Sequence, residues 1–81
     1  MSDQIKMHVL VALTQDVRTK HFEKGQDLLL RRGQIGTVVM LYQDEACEVE
    51  FADREGRAFA MLPLRSEQLM ILHDSPDFAA A

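Results

Sequence analysis

The residues of this chain that could do chemistry are few and widely spaced. The candidate metal ligands are His8, His21, Cys47 and His73. No two of them stand at a Cys-x-x-Cys or His-x-x-x-His interval, the spacings at which one turn or one helix face offers two ligands to zinc. They read as surface histidines and a core cysteine. Nucleophilic catalysis needs a nucleophile, a base and a group that orients the base. Ser66 falls in a polar turn and reads as a helix cap. Ser2 and Ser75 lie near the ends, and no Gly-x-Ser-x-Gly is present. Glu48 and Glu50, two apart on a strand, would hold their carboxylates about 7 Å apart by strand rise. That separation suits inverting glycoside hydrolysis. Their alternation with Cys47, Val49 and Phe51 instead makes them the solvated side of a half-buried strand. A chain of 81 residues also has little room for a substrate cavity. The expectation is a protein that is not an enzyme, with no catalytic residue, no metal, no cofactor and no evident small-molecule substrate.

Charge points to a second chemistry. Most cations lie between Lys6 and Arg32 and most acids after Asp44, so a local basic patch survives a net charge of -4. Arg31 and Arg32, with Lys24, are the residues of a nucleic-acid-binding alternative. The acidic total and a sequence pI of about 5.2 oppose it. So does the scarcity of stacking platforms, with one tyrosine and no tryptophan. Gly33 and Gly36 lead into a strand rather than a helix, so they do not form a phosphate cradle.

The elements that must position these residues are short. Met7 to Leu13 is apolar almost throughout and reads as a first strand. Thr14 to Gly25 reads as a long loop, because Val17 and Phe22 do not share a helical face. Gln26 to Arg32 is ambiguous between a helical turn and an extended piece. The run Arg31-Arg32-Gly33-Gln34-Ile35-Gly36-Thr37-Val38-Val39 reads as a tight turn at its glycines followed by a β-branched strand. Ala46 to Ala52 alternates as a third strand. Asp53 to Gly56 is a hairpin loop. Arg57 to Leu64 is a fourth strand, with Pro63 at an edge or bulge. Ser66 to Gln68 is one helical turn, and Leu69 to Leu72 a fifth strand.

These elements predict an all-β fold: a small five-stranded SH3-like barrel with a long loop after strand 1 and one short helical turn before the last strand. Closure would remove the exposed sheet edges. The competing architecture is an open antiparallel sheet crossed by a helix from Lys20 to Arg32. The domain would span 1–73 with a loose N-terminus at 1–6, and 74–81 would be a disordered tail. With no basic leader segment and no membrane-spanning apolar run, the expected location is the cytoplasm.

Several of these motifs also carry a resemblance. Arg32-Gly33-Gln34-Ile35-Gly36-Thr37-Val38-Val39, Glu48-Val49-Glu50-Phe51, the Asp53 to Gly56 turn and Ser66-Glu67-Gln68-Leu69 resemble the DUF4926 family of small uncharacterised bacterial proteins. Leu10 to Asp16 is similar to the family's opening strand, whereas the loop between Val17 and Leu30 is longer than the family's. The resemblance implies a small SH3-like barrel and no enzymatic activity. The Gly33-x-x-Gly36-x-Val38 core also resembles the KOW turn of ribosomal barrels, a likeness of barrel geometry.

The remaining signal is surplus apolar surface. On the fourth strand Ala58, Ala60, Leu62 and Leu64 share one face and Phe59 and Met61 the other; on the fifth, Leu69 and Ile71 oppose Met70 and Leu72. One small interior cannot take both sets. Either the long loop with Leu28, Leu29 and Leu30 covers the outer set, or another chain does. Phe59, Met61, Met70 and Leu72 are therefore the expected contact surface of a protein-protein interaction module, a homodimer or the small partner of another protein. The alanine-ended tail Phe78-Ala79-Ala80-Ala81 is similar to ends that bacterial ATP-dependent proteases recognise, as an antitoxin-like partner would have.

Overall fold

The computed structural model describes residues 4–79. It is all-β apart from a single 3-10 turn. The strands are β1 (Leu10–Leu13), β2 (Val17–Lys20), β3 (Asp27–Leu30), β4 (Ile35–Leu41), β5 (Ala46–Ala52), β6 (Ala58–Arg65) and β7 (Leu69–Ile71), with the 3-10 turn at Ser66–Gln68. Five strands form one antiparallel sheet in the order β6-β5-β4-β1-β7, and β2 and β3 form a separate hairpin. Seven strands thus stand where five were expected, and the two sheets do not close into a barrel.

Of the two additional strands, β2 lies in the expected long loop of Thr14 to Gly25, and β3 in Gln26 to Arg32, which is thereby extended rather than a helical turn. Val17 pairs with Leu30 and Thr19 with Leu28, so these four point inward while Arg18 and Leu29 point out. The leucine triplet hid this alternation. The hairpin is closed by His21: its amide donates to the Gln26 carbonyl at 2.8 Å, and its Nδ1 accepts from the amides of Glu23 and Lys24 at 3.2 Å each. No helix spans Lys20 to Arg32.

The glycine pair has two separate causes. Gly33 has φ +90° in the turn before β4, and its amide donates to the Leu13 carbonyl at 2.7 Å. Gly36 is not a turn residue. It lies within β4, where an added Cβ would stand 2.6 Å from Val49 Cγ1 and 2.9 Å from Phe51 Cε1. The core therefore closes over a bare backbone. Val38, Cys47, Val49, Phe51 and Ala60 fill it from the β4–β6 side, and Val11, Leu13 and Leu69 from the other.

Three smaller expectations shift. The first strand begins at Leu10, after a turn with His8 at φ 69°. Ser66 does not cap the 3-10 turn; the Gln68 side chain does, accepting from the Arg65 amide at 2.9 Å. Beyond Ile71 the described residues form no strand or helix. Ala80 and Ala81, on which the protease-recognition expectation rests, lie outside the described residues.

Candidate functional site

Alternation along the strands assigns each residue of the five-stranded sheet to one of two faces. Val11, Leu13, Val38, Val49 and Leu69 face the core. On the other face two rows cross the sheet. Met70, Ala12 and Ile35 are direct neighbours on β7, β1 and β4. Beside them Leu10 is followed by Thr37, Glu50 and Met61 on successive strands. Met70 is 54% exposed, Leu10 52% and Ile35 56%, while Ala12 between them is buried. The β7–β1–β4 half of this face is thus apolar and open. The β5 part is acidic, through Glu48 and Glu50.

The expected contact residues divide accordingly. Met61, Met70 and Leu72 stand outside the core. Phe59 does not stand free: a bulge between Phe51 and Ala52 shifts its register, and its ring packs partly against the core. Met61 and Met70 lie on opposite edge strands, four strand spacings or roughly 20 Å apart. They do not form one patch. Leu10 and Ile35 do complete a patch with Met70 and Leu72, and reading the sequence alone missed them. Their signal was the alternation of Leu10 with Val11 and of Ile35 with Gly36, masked by an apolar run and by a glycine taken for a turn.

The hydrogen-bond phase of β7 adds a second feature. The Thr14 amide donates to the Gln68 carbonyl and the Leu72 amide to the Leu10 carbonyl. Gln68, Met70 and Leu72 therefore bond toward β1, and the N–H and C=O of Ile71 project from the free edge. Beside this edge opens a groove of about 670 Å³, lined in part by Ile5, Leu41, Tyr42, Cys47, Leu69 and Ile71. It lies between β7 and the turn that joins β4 to β5.

The titratable groups near the groove are settled by their neighbours. The Tyr42 hydroxyl donates to Glu48 Oε1 at 2.8 Å, and this bond to a carboxylate holds its pKa above the ordinary phenol value. Burial, and then the nearby Glu48, push the Cys47 thiol up, which disfavours the reactive thiolate. Among the described residues no three His, Cys, Asp or Glu side chains converge on a point that could hold a metal ion.

The residues of the basic alternative fall at the two ends of the β2–β3 hairpin. Arg31 Nε lies 3.5 Å from Asp16 Oδ1, and the Arg32 backbone amide donates to the same oxygen at 2.7 Å. Lys24 sits at the far tip of the β2–β3 hairpin, about 20 Å along the strands from Arg31.

A family profile described as "Domain of unknown function (DUF4926)" matches residues 7–71, well over half of the chain. The chain belongs to the DUF4926 family. No curated protein and no solved structure matches it. The DUF4926 match runs through the β2–β3 hairpin and ends at the last residue of β7, so it takes in the free edge and, of the apolar patch, Leu10, Ile35 and Met70, with Leu72 just beyond it. No described helix is long and apolar enough to cross a membrane.

Proposed function

We propose that this DUF4926 protein is a non-enzymatic protein-interaction module with SH3-like strand connectivity. Its contact surface is the apolar half of the outer sheet face: Leu10, Ile35, Met70 and Leu72. The connectivity reading is supported by the strand order and by the 3-10 turn that carries the chain from one sheet edge to the other. The observation that carries the function is the open row on β7, β1 and β4, in which no charged side chain intervenes. Contiguous apolar surface of this kind is what monomers seldom leave uncovered. Methionine suits such a surface because it adapts its shape to the occupant.

Solution mass across a concentration range tests the reading. Wild-type protein is expected to move toward two chains as concentration rises. Ile35→Asp and Leu10→Asp place a charge on the open face without touching the core, and are expected to remain single chains with an unchanged circular dichroism spectrum. A wild-type mass fixed at one chain, identical to both variants, would sink the proposal.

A further inference from the structure

We propose that β7 is the pairing edge of a two-fold homodimer. Two copies lay β7 antiparallel about an axis at Ile71, and Met70 of each stands beside Leu72 of the other. This rests on the interaction-module reading and goes further by naming the occupant and its register.

The backbone sets the register. Ile71 projects both its N–H and its C=O from the edge, so pairing about Ile71 satisfies all four groups with two mutual hydrogen bonds. The next register, about Met70, would place Leu69 opposite Ile71. The Leu69 amide already donates to the Ser66 carbonyl, so the Ile71 carbonyl would find no donor there. Side chains agree with the first register. Met70 and Leu72 share the outer face and meet as apolar neighbours, continuous with Leu10 and Ile35.

The charge pattern permits a second copy at this edge. No residue from Leu69 to Leu72 is charged, so two acidic chains approach here without placing like charges opposite each other. The segment offers no charge by which to choose an oppositely charged partner. The other edge of the same sheet is blunted, because Pro63 lacks an N–H and the Phe59 carbonyl is already occupied by the Phe22 amide. The added strand would also cover the groove beside Leu69 and Ile71. Edge and groove together involve fewer residues than the ~20–30 a side of a standard interface, so the dimer is a weak one.

Two readouts test this, on the full chain. Light scattering compares wild type, Ile71→Pro and Ile35→Asp over a wide concentration range. Proline at Ile71 removes the outward N–H, at a position where edge strands tolerate it, and replaces a half-buried side chain that packs against the core. Amide exchange of wild type, at low and high concentration, needs no variant to fold. The expected result is a doubling of mass, loss of that doubling in I71P, and slowing of the Ile71 amide by about fivefold at a total chain concentration ten times the dissociation constant. A doubling of mass with an unchanged Ile71 amide would overturn edge pairing and leave the outer-face reading standing. A mass fixed at one chain in every sample would overturn both.

Discussion

Along β6, three of the positions that face away from β5 are each dealt with by a different device. The Phe59 carbonyl accepts the Phe22 amide at 3.1 Å, which ties the β2–β3 hairpin to this edge. Pro63 removes one outward N–H altogether. The Arg65 amide donates to the Gln68 side chain. β7, at the other edge of the same sheet, has none of these: no proline, no charge from Leu69 to Leu72, and an Ile71 whose backbone groups project outward. Edge strands in natural proteins are blunted by proline, charge, bulges or cover, because an unblunted edge recruits another strand. A chain that blunts one edge three ways and leaves the other bare has the means for one added strand rather than an open-ended series.

The same division reaches into the core, and its largest test lies there. Gly36 sits beneath Val49 and Phe51, in the β4–β6 half that holds most of the buried side chains. Gly36→Ala forces a methyl into a β-branched neighbour and a buried ring, an overpacking that costs about 1–3 kcal/mol. Met70→Ala on the open side trims a half-exposed side chain and is expected to cost within about 0.5 kcal/mol. Urea midpoints of the two variants decide the matter. Equal losses would mean that the two halves of the sheet are equally committed, and the contrast between them would fall.

A smaller effect on stability, with a visible effect on assembly, is expected from undoing the protection of β6. Pro63→Thr restores an outward N–H, and Gln68→Ala frees the Arg65 amide. Loss of that hydrogen bond costs about 1 kcal/mol or less, because the groups are exposed to water. With both edges open, the double variant should pass from dimers into larger assemblies as concentration rises. Adding Ile71→Pro should return it to small species. A double variant that stays dimeric would show that the hairpin contact at Phe59 alone blunts β6.

Much of this contrast was written in local patterns. The alternation of Ala46 to Ala52 placed Cys47, Val49 and Phe51 inside, and Pro63 marked an edge, as a missing donor must. The opposed faces of Leu69 to Leu72 were legible for the same reason. What the sequence hid depended on distant partners. Gly36 looked like turn chemistry because its crowding comes from β5, which lies about a dozen residues on. The hairpin within Thr14 to Leu30 was obscured because Leu28, Leu29 and Leu30 have no alternation of their own. It becomes visible only when Thr19 is set opposite Leu28. Phe59 was misplaced by a bulge, a change of phase that period-two reading cannot detect. Closure into a barrel was expected from the order of short strands, loops and turns and from the need to remove sheet edges, whereas the curvature that decides it lies in the pairing.

The smallest expected effect is one of pH, and it too separates the two halves. Asp53 closes the β5–β6 hairpin. Its Oδ1 accepts from the Arg57 amide at 2.9 Å and the Glu55 amide at 3.0 Å, and Arg57 Nε lies 3.4 Å from Oδ2. The Arg57 amide bond is the chief cause of a carboxyl held below the ordinary aspartate range, and it outweighs a partial desolvation that acts the other way. The folded pKa is therefore below the unfolded one. The contribution of this carboxylate is complete above the unfolded value, near pH 4, and is lost as pH falls through the folded value. Asp53→Asn keeps an oxygen acceptor but removes the charge, so it should lower the melting temperature slightly at neutral pH and flatten its decline below about pH 4. The β7 segment from Leu69 to Leu72 carries no titrating side chain, so the substitution should leave the concentration dependence of mass at neutral pH unchanged. Melting curves of wild type and D53N that fall in parallel below pH 4 would assign the acid sensitivity to another carboxylate, and the β5–β6 turn would then owe its closure to backbone bonds alone.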